Sequence, residues 1–508
     1  MSAKSHSFFN PSRELYYSDV LPALSIAFLN DPDNPKIYTT SVTGLSELKE
    51  LEDLYIDELN EYTDLLQQKV HSLKLYLEKL KLEKLENYEQ RVQYVSNPLK
   101  AFGLLRRTHQ DWPKWHNYTK SDIGAAKLIA MEQLLAKAPG NDDMMEAYKG
   151  MHRIEEVYDL EAADMAKGLL LGKQYDAKMS TAECLALGDY MFNQSEFARA
   201  AKWYRLGLYY NTEYSNDVFK QIYGFESDEI RKMFLIARIK GASVDDVPIY
   251  LRELSHGPHT PLWKSEKGIP TAYQEGCWGR LPRRRDLTCR YNSTTSPFLR
   301  LAPLKMEMIS LDPYIVIYRD VLSEHEIRLA TDKSNYGVMF DTWTYDADPR
   351  IKLERISKGG MLYTKELSVV NKRIEDMTGL NVSLTDELQM ANYGLGGHFL
   401  PHYDFVNLTR RTTLTRIFET IGGDRQVTVL FYTSDVELGG ATLFPKLNIT
   451  VRPEKGSALI WNNLDHTGQP DVLTEHGICP VIVGSRWTLT QTLAEWDQMF
   501  KKPCNTKI

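Results

Sequence analysis

The run "LQMANYGLGGHFLPHYDF", residues 388–405, sets His402 and Asp404 two positions apart behind a glycine-bearing turn. On a strand, residues at i and i+2 project from the same face, so both side chains can reach one point in space. Two histidines and one carboxylate on a single face is the arrangement that suits iron(II), because three coordination positions stay open. A third ligand is required, and His398, His466 and His476 are available. His398 lies close to the turn, and His466 sits in the polar loop "WNNLDHTGQPD". His476 immediately precedes the apolar run "GICPVIVGSRW", a rigid element that can hold it. Ten residues further on comes Arg486, an even offset that keeps it on the face of His476 if the strand is unbroken. A cation there would pair bidentately with the distal carboxylate of a dicarboxylate whose other end chelates the metal. Alone, a His-X-Asp pair reads as two structural polar residues; the later histidine and cation turn it into a metal site.

The surroundings are strand-like. From about Leu304 onward the runs "YIVIYRDV", "QVTVLFYT", "ATLFP", "NITVRP", "SALIWNN" and "CPVIVGSRWTLTQTL" are apolar or alternating and are separated by Gly, Pro, Asn and Asp. Many short strands without intervening long helices predict an antiparallel sandwich or jelly roll over 304–508. The preceding segment, 255–303, is rich in Gly, Pro, Arg and Ser and reads as a linker, pinned if Cys277 and Cys289 pair.

Upstream the periodicity changes to that of helices. Leu59, Tyr62, Leu66, Val70, Leu73, Leu77 and Leu80 recur at spacings of three and four, one stripe of a long helix. The stripe predicts self-association as a coiled coil, with antiparallel packing inside its own domain as the other reading. Between Ile123 and Leu254 the pattern stays helical. Leu187-Gly188, Met191, Phe197, Ala200, Tyr204 and Gly207 follow the large-small spacing of a tetratricopeptide helix pair. Its aromatic residues Tyr190, Trp203, Tyr204, Tyr209 and Tyr210 are core or, in part, a peptide groove, with Tyr190, Trp203 and Tyr204 the substrate-groove candidates. The expected organisation is multidomain α + β: 1–122 helical and dimerising, 123–254 tetratricopeptide-like, 255–303 linker, 304–508 jelly roll.

A chain of 508 residues exceeds one ordinary core, at roughly 100–200 residues per domain. Net charge of −7 gives no global attraction to nucleic acid, and the short basic run Arg280 to Arg290 reads as a solvated loop. No stretch is apolar enough for a membrane span, and the N-terminus makes a poor secretory signal, since its short apolar run Leu21 to Leu29 follows acidic residues. Five cysteines leave two readings open. Two disulfides among Cys277, Cys289, Cys479 and Cys504 with Cys184 a buried thiol fit the spacing; five reduced thiols in the cytosol are the alternative. Asn-X-Ser/Thr tripeptides begin at Asn117, Asn193, Asn292, Asn381, Asn407 and Asn448.

Three stretches, "LQMANYGLGGHFLPHYDF", "LFYTSDVELGGATLFP" and "HGICPVIVGSRWTLTQTL", resemble the catalytic domain of the collagen prolyl 4-hydroxylase alpha-subunit family. "RRRDLTCRYN" is similar to that family's cysteine-bearing connector, the helical unit to its peptide-binding domain and the leucine-rich helix to its dimerisation segment. The resemblance implies an iron(II) and 2-oxoglutarate dioxygenase with a double-stranded β-helix catalytic domain. It would consume dioxygen, hydroxylate proline at the 4-position in X-Pro-Gly sequences of collagen-like chains and use L-ascorbate. His402, Asp404 and His476 match the iron ligands, and Arg486 stands where the family usually has lysine for the 2-oxoglutarate carboxylate; Tyr432 and Tyr393 would line that pocket. The resemblance further implies the endoplasmic reticulum lumen and an assembly of two alpha subunits with two protein disulfide isomerase beta subunits. "SKGGML", 357–362, departs from the family in its paired glycines. A silent subunit that only binds proline-rich chains or the isomerase, and the same chemistry on lysine or a non-collagen protein, are the competing functional readings.

Overall fold

A computed structural model describes residues 38–80, 84–212, 217–242, 244–256, 269–281, 287–336, 340–341, 355–362, 367–382, 388–406 and 422–501. Cys504 and Asn407 therefore lie outside the described residues. The chain divides into two compact units, Leu45–Pro139 and the remainder; the expected boundary at 122/123 falls inside the first of these. Among the described residues no helix is long and apolar enough to cross a membrane.

The unit Leu45–Pro139 is built on helix α1, Val42–Leu80. Later helices of the unit pack on it: Tyr76 stacks on Trp115 at 4.6 Å, and Lys69 Nζ donates to the carbonyls of Thr119 and Ser121. Of the predicted stripe, Tyr62, Leu73 and Leu80 are half-buried, while Leu59, Leu66, Val70 and Leu77 stay exposed.

In the larger unit the helices α2 (Asn141–Val157), α3 (Thr181–Asn193), α4 (Phe197–Tyr210) and α5 (Ser227–Gly241) form one core. A capping box of Ser180 and Glu183 starts α3. The small residues expected between the paired helices are where they touch: a Cβ on Gly188 would lie 2.7 Å from the Tyr204 ring, and one on Gly207 2.7 Å from Leu185. The three groove candidates face inward. Tyr190, Trp203 and Tyr204 are all buried; Trp203 Nε1 donates to Glu155 and the Tyr204 hydroxyl to Asp189. The Tyr204 ring fills the space that Gly188 opens, and Tyr190 and Trp203 lie in the same core. Cys184 lies in the same core as a free thiol, pushed up to about 12 by burial.

The C-terminal part is β-sheet, as predicted. Its strands, numbered along the chain, are β1 Cys289–Asn292, β2 Leu304–Ser310, β3 Ile315–Arg319, β4 Phe340–Asp341, β5 Lys358–Leu362, β6 Leu388–Tyr393, β7 Phe399–His402, β8 Arg425–Tyr432, β9 Val436–Gly439, β10 Thr442–Phe444, β11 Ile449–Val451, β12 Ala458–Asn462, β13 His476–Ile478, β14 Val481–Gly484 and β15 Arg486–Ala494. Nine of them form one antiparallel sheet in the order β1-β2-β3-β12-β8-β15-β6-β5-β4, four form a second in the order β11-β10-β13-β7, and β9 pairs with β14. The two-residue strand period sorts every central strand. On β8, Val427, Val429 and Phe431 pack against helices α7 (Glu324–Tyr336) and α8 (Ser368–Thr378), while Leu430 and Tyr432 meet Phe444 and Val451 of the smaller sheet. Arg486 and Thr428 share the inward parity.

The disulfide differs from expectation. Cys277 is bonded to Cys479, 202 residues away, and Cys289 is an exposed thiol at the start of edge strand β1. Proximity along the chain was a poor guide because the short helix α6, Ala272–Cys277, packs on the smaller sheet rather than folding back on the linker. A Cβ on Gly276 would lie 2.6 Å from Leu443, and the Tyr273 hydroxyl donates to the carbonyl of Ile478. That docking carries Cys277 to the residue just past β13.

Candidate active site

Strands β7 and β13 pair antiparallel with His402 opposite His476, so two histidines 74 positions apart in the chain come together, their rings 4.3 Å apart. Asp404, two residues past His402, completes the set: its Oδ1 is 3.6 Å from the Nε2 of each histidine. One ligand atom from each of the three lies within 4.8 Å of the others. His466 is exposed in its turn and His398 is buried outside the cluster. Of the three candidate third ligands, only His476 is brought in.

The outer atoms of the set are already engaged. His402 Nδ1 faces the Leu400 carbonyl at 2.8 Å and His476 Nδ1 the Thr474 carbonyl at 3.0 Å. A carbonyl can only accept, so each Nδ1 carries the proton and each Nε2 presents its lone pair to the centre. Asp404 Oδ2 accepts from the Thr428 hydroxyl at 2.6 Å, which in turn accepts from Asn463 Nδ2 at 2.8 Å. Burial, helped by the neighbouring His476, pushes the His402 imidazole down to about 3, so its ring is a neutral donor at physiological pH. Burial alone would raise the Asp404 carboxyl; His476, His402 and the Thr428 hydrogen bond together outweigh it and hold the group below the usual carboxylate range. Two imidazoles and one carboxylate, each held from behind, fit iron(II).

Arg486 faces the same interior by a different route. The expectation of one unbroken strand from His476 is incorrect: the chain leaves the smaller sheet after β13, runs through β14, and enters the nine-stranded sheet with Arg486 as the first residue of β15. Arg486 points inward because its parity on β15 opposes that of Leu489 and Leu493. It is fully buried. Its Nε donates to the Gly440 carbonyl at 2.9 Å and Nη2 to Thr442 Oγ1 at 3.1 Å, while Nη1 has no hydrogen-bond partner. The guanidinium sits over the rings of Tyr393 at 4.8 Å and Tyr432 at 5.7 Å, so both tyrosines line its pocket. The Tyr432 hydroxyl, pushed up by burial and therefore neutral, donates to Thr442 at 2.7 Å. A buried cation with an unfilled donor costs several kcal/mol unless an anion meets it. A carboxylate is the kind of group that donor can take.

Thr428, Asn463 and Trp461 were not singled out in the sequence. Trp461 packs edge-on against His476 at 4.6 Å, and its Nε1 is buried without a partner. Thr428 left one legible trace, a hydroxyl on the inward parity of the otherwise apolar "VTVLFY".

By this fold and site the C-terminal part is a 2-oxoglutarate/iron(II) oxygenase: residues 388–493 match the 2OG-Fe(II) oxygenase superfamily. Residues 41–172 match the N-terminal region of the prolyl 4-hydroxylase alpha-subunit. Prolyl 4-hydroxylase subunit alpha-1 of Homo sapiens is 28% identical over 92% of this chain and 95% of its own length. Subunit alpha-2 of Caenorhabditis elegans is 29% identical over 81% of this chain and 83% of its own. The chain is thus similar to prolyl 4-hydroxylase alpha subunits over most of its length. A viral collagen prolyl hydroxylase of Paramecium Bursaria Chlorella virus-1, solved as its 2OG complex, superposes with a TM-score of 0.28 at 21% identity over 35% of this chain and 94% of that one; at that score the superposition carries no argument.

Proposed function

We propose that this chain hydroxylates peptidyl proline at the 4-position in X-Pro-Gly sequences of collagen-like chains, coupled to oxidative decarboxylation of 2-oxoglutarate to succinate. The observation that carries the reading is the pairing of a converging two-histidine, one-carboxylate set with a fully buried arginine whose Nη1 is unclaimed. His402, Asp404 and His476 would hold iron(II), which when bound supplies the oxygen activation that this decarboxylation drives. The chain's own residues do the rest. Thr428 and Asn463 keep the Asp404 carboxylate turned inward, and the Leu400 and Thr474 carbonyls hold both imidazoles in the ligating tautomer. Arg486 anchors the co-substrate's far carboxylate between Tyr393 and Tyr432, and Phe444 and Trp461, packed around His476, exclude water. Breaking the C–H bond needs no protein acid or base, which agrees with a site whose histidine protons are all committed to carbonyls.

The family resemblance supports the finer parts of the proposal. L-ascorbate keeps the iron reduced, and the chain works in the endoplasmic reticulum lumen beside protein disulfide isomerase as beta subunit, in a two-alpha, two-beta assembly. A disulfide at Cys277–Cys479 favours an oxidising compartment. The exposed Leu59, Leu66, Val70 and Leu77 stripe favours a coiled-coil partner for α1. The α3–α4 pair supports a tetratricopeptide-like peptide-binding unit. The test is co-expression with protein disulfide isomerase followed by mass spectrometry of Pro-Gly repeat peptides. One oxygen added to proline, dependent on iron and 2-oxoglutarate, is expected; peptide binding without any oxygen added would replace the proposal with the silent-subunit reading.

A further inference from the structure

The short segment before α1 is laid against the loop that carries Tyr393. Gly394 N–H donates to the Thr40 carbonyl at 3.1 Å and Leu395 N–H to the Thr39 carbonyl at 3.3 Å. The approach is so close that a Cβ on Gly394 would lie 2.3 Å from Thr39 O and 2.5 Å from Ser41 N. Both ends of the segment are clamped by buried polar side chains. Asp143 Oδ1, in the first turn of α2, accepts from Tyr38 N–H at 2.7 Å, Thr39 N–H at 2.9 Å and the Thr39 hydroxyl at 3.0 Å. Asn392 Oδ1 accepts from the first amides of α1, Val42 at 2.8 Å and Thr43 at 3.3 Å. The other end of the Asn392 amide donates to Ser485 Oγ at 3.0 Å. Asn392 is thus fastened on one side to the start of α1 and on the other to the residue before Arg486.

The register makes the consequence local. On the β6–β15 ladder Tyr393 lies opposite Arg486 and Asn392 opposite Trp487. Tyr393 is the ring that faces the guanidinium. Asp143, Asn392 and Ser41 are each buried, so these hydrogen bonds have no water to replace them if broken. A surface tether could be lost at little cost; a buried one cannot, and its loss must be relieved by moving the loop.

We propose that residues 38–43 act as a positioning clamp for the 2-oxoglutarate pocket, with Asp143 and Asn392 as its two anchors and the Tyr393–Arg486 contact as what they set. The proposal rests on the reading of Arg486 as the co-substrate anchor. Neither anchor touches the co-substrate; both act through the loop 394–397 and strand β6. Coupling runs both ways, because a ligand that favours one arrangement of the loop must favour the clamped segment equally.

Two measurements on the full-length protein, loaded with manganese(II) in place of iron, test it. Calorimetry of 2-oxoglutarate binding is expected to show affinity lowered about fivefold or more in Asp143→Ala. Asp143→Asn, whose Oδ1 still accepts, should stay within about twofold of wild type. Undiminished affinity in Asp143→Ala overturns the clamp. The second measurement needs no variant, and so stands if Asp143→Ala does not fold. Saturating 2-oxoglutarate should slow hydrogen exchange at the amides of Val42, Thr43, Gly394 and Leu395; unchanged rates overturn the proposal. If wild type binds no 2-oxoglutarate, the reading of Arg486 falls and the clamp with it. If wild type binds but either measurement fails to show coupling, the clamp alone falls.

Discussion

The metal face and the cation pocket are built on opposite principles. At the metal face every outer polar atom is satisfied by protein and the inner atoms converge: both Nδ1 positions, and Asp404 Oδ2, have partners within 3.0 Å. At the cation pocket the guanidinium is sealed inside with one nitrogen unclaimed. The first is satisfied before its ligand arrives and is only oriented for it; the second carries an unpaid desolvation cost until its ligand arrives. The two differ in what removal of a residue should do, and that difference can be tested.

Losing a ligand at the metal face removes the reaction. Asp404→Ala or His476→Ala should abolish iron binding and lower turnover more than about a thousandfold, since a metal contributes several kcal/mol to the barrier. Iron titration followed by a succinate assay checks this, and retained iron with near-normal turnover would break the assignment. At the cation pocket the effect is expected in binding. Arg486→Leu should raise the 2-oxoglutarate KM about a hundredfold, the range for truncating one partner of a buried charge pair. The same variant should leave the co-substrate-free protein as stable as wild type or more so, because an unpaired buried charge is gone. A melting temperature well below wild type would show that the guanidinium is structural instead.

Behind the metal, Thr428→Val keeps the shape and removes the hydrogen bond to Asp404. Metal affinity should fall by about ten- to a hundredfold with 2-oxoglutarate affinity per loaded site unchanged; an equal loss of both would mean that the two regions are one unit. The smallest effect is in pH. His402 is held at about 3 in the folded chain, well below the ordinary 6.5. Between those values the unfolded chain binds the extra proton, so stability of metal-free protein is full above about 6.5 and is lost as pH falls toward 3. His402→Gln should flatten that slope in melts of metal-stripped protein between neutral and mildly acid pH. An unchanged slope would move the titration to other groups.

His402 and Asp404 were legible because strand period alone decides which way they point, and His476 because it opens a rigid apolar run. Arg486 does face the interior, but not for the reason its spacing suggested. Its even offset from His476 assumed one strand, whereas the two residues belong to different sheets that face each other. The bond between Cys277 and Cys479 and the burial of Tyr190, Trp203 and Tyr204 were not legible. Each depends on how a helix docks, and docking is set by surfaces far apart in sequence. Thr428, Asn463 and the Asp143 and Asn392 anchors were missed for a related reason: a polar residue on an inward face is meaningful only when its partner is known, and theirs lie 24 to 350 positions away.

The amino-acid sequence by itself determined the antiparallel sheet class and the inward projection of His402 and Asp404 from one face. Periodicity and residue chemistry act locally and survive without knowledge of the fold. Tertiary structure alone decided the disulfide partner, the sealing of Arg486 and the clamping of residues 38–43 on the loop beside Tyr393. Those outcomes depend on desolvation and on hydrogen bonds between distant segments, quantities that come into being only when the sheets close and water leaves.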